Sequence, residues 1–172
     1  VIDTRVSHSH SESGYGDRRR SCEEAAGIFG VESLRELDEA VDLGPLTDEQ
    51  RKRVRHVFNE NARVRTTVDH LEGSGGQARH RIRGIGELLP ASPAPLAEDY
   101  EVSCPELDTA VEAAMEAGAI GARMIGGGFG GSAIALIDAA DADRVGDAVI
   151  AAFAARGYRT PDVFAVSAGT GA

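Results

Sequence analysis

Apolar residues recur at helical spacing in four stretches of the chain. Cys22, Ala25, Ala26 and Phe29 fall at i, i+3, i+4 and i+7, and Gly30 closes the run. Val54, Val57, Phe58, Val64, Val68 and Leu71 keep the same period, with Asn61 among them, as far as Gly73. Thr47 and Gln50, three apart, form a capping box ahead of this run, which predicts the longest helix. Leu107, Val111, Ala114 and Met115 mark a third helix, with Ser103 and Glu106 as a second capping box, Pro105 in its first turn and Gly118 at its end. Val145, Ala148, Val149, Ala152 and Phe153 mark a fourth, capped by Asp141 and ended by Gly157. Ser33 to Leu37 predicts a short helix.

Strand patterns lie between these helices. Val1 to Val6 reads as a short strand, entered partway, as in a cut through a longer polypeptide. Residues 119–124, Ala133 to Ile137 and Val163 to Val166 read as three more. Ser7 to Gly14 is small and polar and predicts a loop. Gly73 to Gly86, with its glycines and its Arg and His residues, predicts a mobile loop. Gly84 to Pro95 predicts a broken helix, since Pro90, Pro93 and Pro95 remove amide donors. Helices and strands alternate without regular β-α-β spacing. The predicted class is therefore α+β, a two-layer sandwich of a mainly antiparallel sheet with helices packed on one face.

Gly126, Gly127, Gly128, Gly130 and Gly131 sit between two of the predicted strands. That many glycines mean a backbone that turns through φ > 0 or approaches something closely. Gly126, Gly128 and Gly131 match G-x-G-x-x-G. The dinucleotide fingerprint requires a helix to start there, whereas Ser132 to Ile137 reads as a strand, so a Rossmann site is not expected. No P-loop pattern occurs. Two readings of the loop stay open: a tight structural turn, or backbone amides presented to an anion.

With 172 residues, 42% of them apolar, the chain is long enough for a well-cored domain. Tryptophan is absent, so Val, Leu, Ile, Ala and Met must fill the core. No run is long enough to span a membrane. The net charge of −10 argues against nucleic acid as the main partner. Lys52 is the single lysine, inside a charged helical run. Cys22 and Cys104 lack metal-ligand spacing and read as reduced thiols of a cytoplasmic protein. His8 and His10 have no ligand cluster to complete a metal site. Arg18, Arg19 and Arg20 follow Tyr15 at a predicted helix start, where cations oppose the macrodipole. Pairs of Arg19 with Glu23 and Arg20 with Glu24 can offset this. The segment is either a solvated helix start or a Tyr and Arg edge facing an anionic or hydroxyl-rich ligand. No nucleophile, base and orienting group can be assembled.

Four segments taken together resemble one family. Val1-Ile-Asp-Thr-Arg-Val-Ser-His8, Gly14-Tyr-Gly-Asp-Arg-Arg-Arg-Ser-Cys-Glu-Glu-Ala25, Asp99-Tyr-Glu-Val-Ser-Cys-Pro-Glu-Leu-Asp108 and the loop over 121–131 are similar, in order and spacing, to the C-terminal half of galactokinases. These belong to the small-molecule kinase superfamily that includes homoserine and mevalonate kinases. The resemblance covers nearly the whole chain. It implies the C-terminal domain of that superfamily, ferredoxin-like in fold, over 1–172. It also implies transfer of the ATP γ-phosphoryl group to the anomeric hydroxyl of galactose, with Mg²⁺. The ATP-cradling loop, the catalytic aspartate and most sugar ligands belong to the family's N-terminal domain, whose motifs this sequence lacks. Tyr15 matches the tyrosine that touches the sugar. Gly126, Gly127, Gly128, Gly130 and Gly131 match the motif beside the phosphates. The resemblance further implies no metal or catalytic residue in this chain, and an inactive chain without its N-terminal partner. Three places depart from the family pattern. Ile125 stands for Thr, Ser92-Pro93-Ala94-Pro95 for Ser-His-x-Ser, and Gly73 to Gly86 looks unlike the usual helix. They keep a second reading open, a non-catalytic sugar-sensing or interaction module.

Overall fold

Four short strands pair antiparallel throughout, in the order β2-β3-β1-β4. They are β1 (Ile2–Asp3), β2 (Gly121–Ile125), β3 (Ser132–Leu136) and β4 (Asp162–Val163). Five helices accompany them: α1 (Ser11–Ile28), α2 (Asp48–Glu72), α3 (Ala78–Leu88), α4 (Pro105–Glu116) and α5 (Ala142–Ala155). The computed structural model describes residues 1–7, 11–73, 78–89, 103–128 and 130–167, with the backbone alone for 11–15 and 78–79. His8, His10, Phe129 and the Ser92–Pro95 departure lie outside the described residues. The chain divides into two compact units. One holds the sheet, α4, α5 and the end of α3 from Arg83; the other holds α1 and α2.

The sheet unit has the predicted α+β form. Alternation along β2 turns Ala122 and Met124 inward, and their partners Ala135 and Ala133 lie on the same face in β3. Helix α4 packs against both strands, and α5 packs against α4. Leu107, Ala110, Ala113 and Ala114 from α4 and Val145, Val149 and Phe153 from α5 are buried. Small residues on α4 let it lie close to the sheet. Phe153 meets the Tyr158 ring edge-on at 5.8 Å. Helix α4 ends in a Schellman motif: Gly118 N–H donates to Met115 O at 2.9 Å and Ala119 N–H to Ala114 O at 3.0 Å. Gly118 is the expected stop. The start differs, because Cys104 rather than Ser103 is the N-cap and makes no side-chain cap bond. Ser103 Oγ instead donates to Asp108 Oδ1 at 2.5 Å.

In the helical unit Ala25, Ala26, Leu34, Leu46 and Val54 form the core, flanked by Cys22, Phe29, Val57 and Phe58. The capping box at Thr47 and Gln50 is present in both directions, at 3.2 and 3.1 Å. Arg51 ties the preceding loop to α2 by donating to Leu43 O at 3.1 Å and Gly44 O at 3.3 Å. Arg53 is buried and donates to Glu49 Oε1 at 3.1 Å. Helix α2 buries the start of its apolar stripe, while Val64, Val68 and Leu71 are exposed.

Two expectations need correction. Ser11 to Gly14 is helical rather than loop, because α1 begins well before its first apolar contact residue. Arg18, Arg19 and Arg20 are therefore mid-helix, away from the dipole's positive end. Arg19 pairs with Glu23 at 2.8 Å, and Arg20 takes Asp17 at 3.2 Å rather than Glu24. Residues 78–86 are helical rather than a mobile loop. The glycine that obscures this helix is there for packing: a Cβ on Gly86 would press into Ile120, and one on Gly121 into the Gly86 carbonyl.

Candidate functional site

The glycine loop is the turn of the β2–β3 hairpin. Its last paired residues are Ile125 and Ser132, and five glycines with Phe129 make up the six-residue connection. A strand follows the loop, so the G-x-G-x-x-G match has no helix N-terminus behind it and the dinucleotide reading fails. Gly126, Gly128, Gly130 and Gly131 all have positive φ, at 85°, 81°, 130° and 83°. The two ends of the loop have different surroundings. Gly126 and Gly127 are exposed, and a Cβ at Gly126 would meet nothing within 4 Å. Gly130 is buried, and a Cβ there would lie 2.8 Å from the Val6 carbonyl oxygen. The limb leaving β2 is open at Gly126 and Gly127, whereas Gly128 and the limb entering β3 at Gly130 are buried.

The enclosing segment is the continuation of β1. Thr4 N–H and Thr4 Oγ1 both donate to the Gly131 carbonyl, at 3.0 and 2.7 Å, and Gly131 N–H donates to the Val6 carbonyl at 3.3 Å. Thr4 is 1% exposed. Periodicity does not reveal these contacts. The signal available in the sequence is Asp3-Thr4, two residues whose short polar side chains bond the backbone two positions on.

Tyr15, the expected sugar contact, stands in the second turn of α1, in the helical unit, where only the backbone is described. Gly126 to Gly131 belong to the sheet unit. Ile125, beside the loop, is 40% exposed. Among the described residues no three His, Cys, Asp or Glu side chains gather where they could hold a metal. No described helix is long and apolar enough to cross a membrane. Cys104 has its thiol pKa raised, first by burial and then by the nearby Glu106 carboxylate, against a lowering backbone bond at Leu107.

Residues 73–155 match the family described as GHMP kinases C terminal. The chain carries a GHMP kinase C-terminal domain. Its similarity to known proteins extends beyond the matched residues. The chain is 47% identical to the galactokinase of Streptomyces coelicolor, an alignment covering 100% of this chain and 44% of that protein. It is 42% identical to the galactokinase of Pyrococcus furiosus, over 91% of this chain and 42% of that protein. A crystal structure of Lactococcus lactis galactokinase complexed with galactose superimposes with a TM-score of 0.74 at 33% identity, covering 95% of this chain and 43% of that one. The chain thus spans less than half the length of these relatives. The α+β fold of this GHMP kinase domain is shared with the galactokinase structure. The glycine hairpin lies inside the family match, whereas Tyr15 and the Thr4 contacts lie outside it.

Proposed function

We propose that the chain is the C-terminal portion of a cytoplasmic galactokinase, which transfers the γ-phosphoryl group of ATP to the anomeric hydroxyl of galactose. The observation that carries this reading is the match of the whole chain to galactokinases at 47% identity. In this reading an N-terminal domain supplies the catalytic aspartate, most sugar ligands and the main ATP grip. Tyr15 contributes a contact to galactose. Gly126, Gly127, Gly128, Gly130 and Gly131 lie beside the phosphates. Phosphoryl transfer depends on positioning and charge stabilisation more than on covalent chemistry from the protein.

The described residues fit a role beside ATP. Gly126 and Gly127, where the loop leaves β2, are exposed and carry no side chains, so a phosphate chain can come close to their backbone. The described residues offer no set of ligands for magnesium, which in this reading is held by the N-terminal domain. The metal would offset phosphate charge there. The part played by this chain is to place backbone at the nucleotide and to complete the wall of the sugar site.

The test is a coupled assay of ADP formation with ATP, Mg²⁺ and galactose. The complete protein is expected to turn over in a galactose-dependent way, and residues 1–172 alone are expected to give no turnover. Sugar-dependent ATP hydrolysis by 1–172 would refute the division of labour. An inactive complete protein that still binds galactose would replace the enzyme reading with that of a sugar-sensing module.

A further inference from the structure

Where β1 ends, the chain makes an unusual turn against the base of the glycine hairpin. Arg5 has φ 57°, the one non-glycine residue with positive φ among the described residues. That conformation is uncommon for a long side chain and persists only where its surroundings hold it. Here it is held on several sides. Asp3 Oδ1 accepts the Arg5 N–H at 2.8 Å, and the Arg5 guanidinium pairs with Asp162 at 3.2 Å. Thr4 Oγ1 accepts the Val6 N–H at 3.3 Å while donating to the Gly131 carbonyl at 2.7 Å. The left-handed turn at Arg5 lets Thr4 and Val6, which flank it, both bond the same residue, Gly131. An extended residue 5 would carry one of them away.

We propose that Thr4 and Arg5 are positioning residues: they clasp the β3 side of the hairpin loop at Gly130 and Gly131 so that its exposed β2 side at Gly126 and Gly127 is held where phosphoryl transfer needs it. This rests on the galactokinase reading above and goes beyond it, because it assigns a catalytic consequence to residues outside the glycine motif. Thr4 is buried, so water does not compete for its hydroxyl. Its loss leaves Gly131 O with a single donor, the residue 4 amide.

The experiment uses the full-length protein that carries this domain, with variants Thr4→Val, Thr4→Ser and Asp3→Ala. Two quantities are read: hydrogen exchange of a peptide spanning 124–134, and the separate values of kcat and KM. Thr4→Val is expected to speed exchange in that peptide about five- to tenfold, the factor set by one hydrogen bond of ordinary net strength. It is expected to lower kcat by a similar factor while KM for galactose stays unchanged. Thr4→Ser, which keeps the hydroxyl, should restore both. Asp3→Ala, a milder change at a partly exposed site, should move both quantities in the same direction if Thr4→Val does not fold. Unchanged exchange in Thr4→Val and Asp3→Ala overturns the clasp. Faster exchange with unchanged kcat overturns the positioning role. If the wild-type protein shows no galactose-dependent turnover, the galactokinase reading fails and the catalytic role falls with it. Exchange then still decides whether the clasp holds the hairpin.

Discussion

Replacing Gly130 by Ala, with Gly126→Ala as its control, isolates the enclosure of the hairpin base. Both glycines have positive φ, 130° and 85°, so both variants force a Cβ into conformations L-residues avoid. That cost is ~1–2 kcal/mol per residue. At Gly126 nothing lies within 4 Å of the new methyl, so the conformational term stands alone. At Gly130 the methyl would lie 2.8 Å from the Val6 carbonyl oxygen and 3.1 Å from Val6 Cγ1. The oxygen belongs to the backbone and cannot rotate aside. The Val6 segment must shift, which weakens the 3.3 Å bond from Gly131 N–H, a further ~0.5–1.5 kcal/mol. Gly130→Ala should therefore cost roughly 1.5–3.5 kcal/mol and Gly126→Ala about 1–2. Urea unfolding followed by circular dichroism reads the difference. With a slope of roughly 1–3 kcal/mol per molar, the midpoint of Gly130→Ala should lie about 0.2–1.5 M below that of Gly126→Ala. Equal midpoints, or a lower one for Gly126→Ala, would refute the argument that the β3 side of the loop is locked and its β2 side free.

Thr47→Ala removes one half of the reciprocal cap on α2, and chemical denaturation should show a loss of about 1 kcal/mol. Adding Gln50→Ala should cost less than its own single effect, since both belong to one network. Cys104 should be alkylated by iodoacetamide more slowly than a free thiol at pH 8, because burial favours its neutral form. The folded state holds that proton more tightly than the unfolded chain does. Its contribution to stability is thus complete below the ordinary thiol pKa and declines as pH rises through the folded value, which unfolding curves at stepped alkaline pH would record.

The parts legible in the sequence were those where periodicity and chain punctuation agree. Thr47, Gln50 and the run from Val54 gave α2 its start, and Gly118 gave α4 its end, because caps and αL stops are local physics. The hairpin was legible because apolar runs flank the glycines and no helix pattern follows Ser132. The early turns of α1 were not, since Ser11 to Asp17 offers no apolar stripe; the apolar spacing begins only at Cys22. Helix α3 was hidden by Gly84 and Gly86. Gly86 lowers helix propensity, but it is the residue that allows contact with Gly121, a tertiary gain that no local window records. The Thr4 contacts join residues 127 apart in sequence and were invisible for the same reason.

The contrast between the two sides of the hairpin loop bears on what five glycines are doing there. Ordering a residue's backbone costs roughly 1–2 kcal/mol, and glycine has the most freedom to lose. A loop of this composition with no anchors would be mobile, and a ligand that needed it in one place would have to supply the ordering free energy when it bound. Here the contacts to Gly130 and Gly131 are made by folding, through Thr4 and Val6, before any ligand arrives. Gly128 is buried as well, so the exposed Gly126 and Gly127 keep the most freedom. If the hairpin meets nucleotide phosphates, its anchored base reduces the ordering that binding must supply, and glycine is used for close approach rather than for flexibility. The opposing case is a tether, in which exchange would be uniformly fast from 126 to 131. A gradient from fast exchange at Gly126 and Gly127 to protection at Gly131 is the outcome this geometry requires.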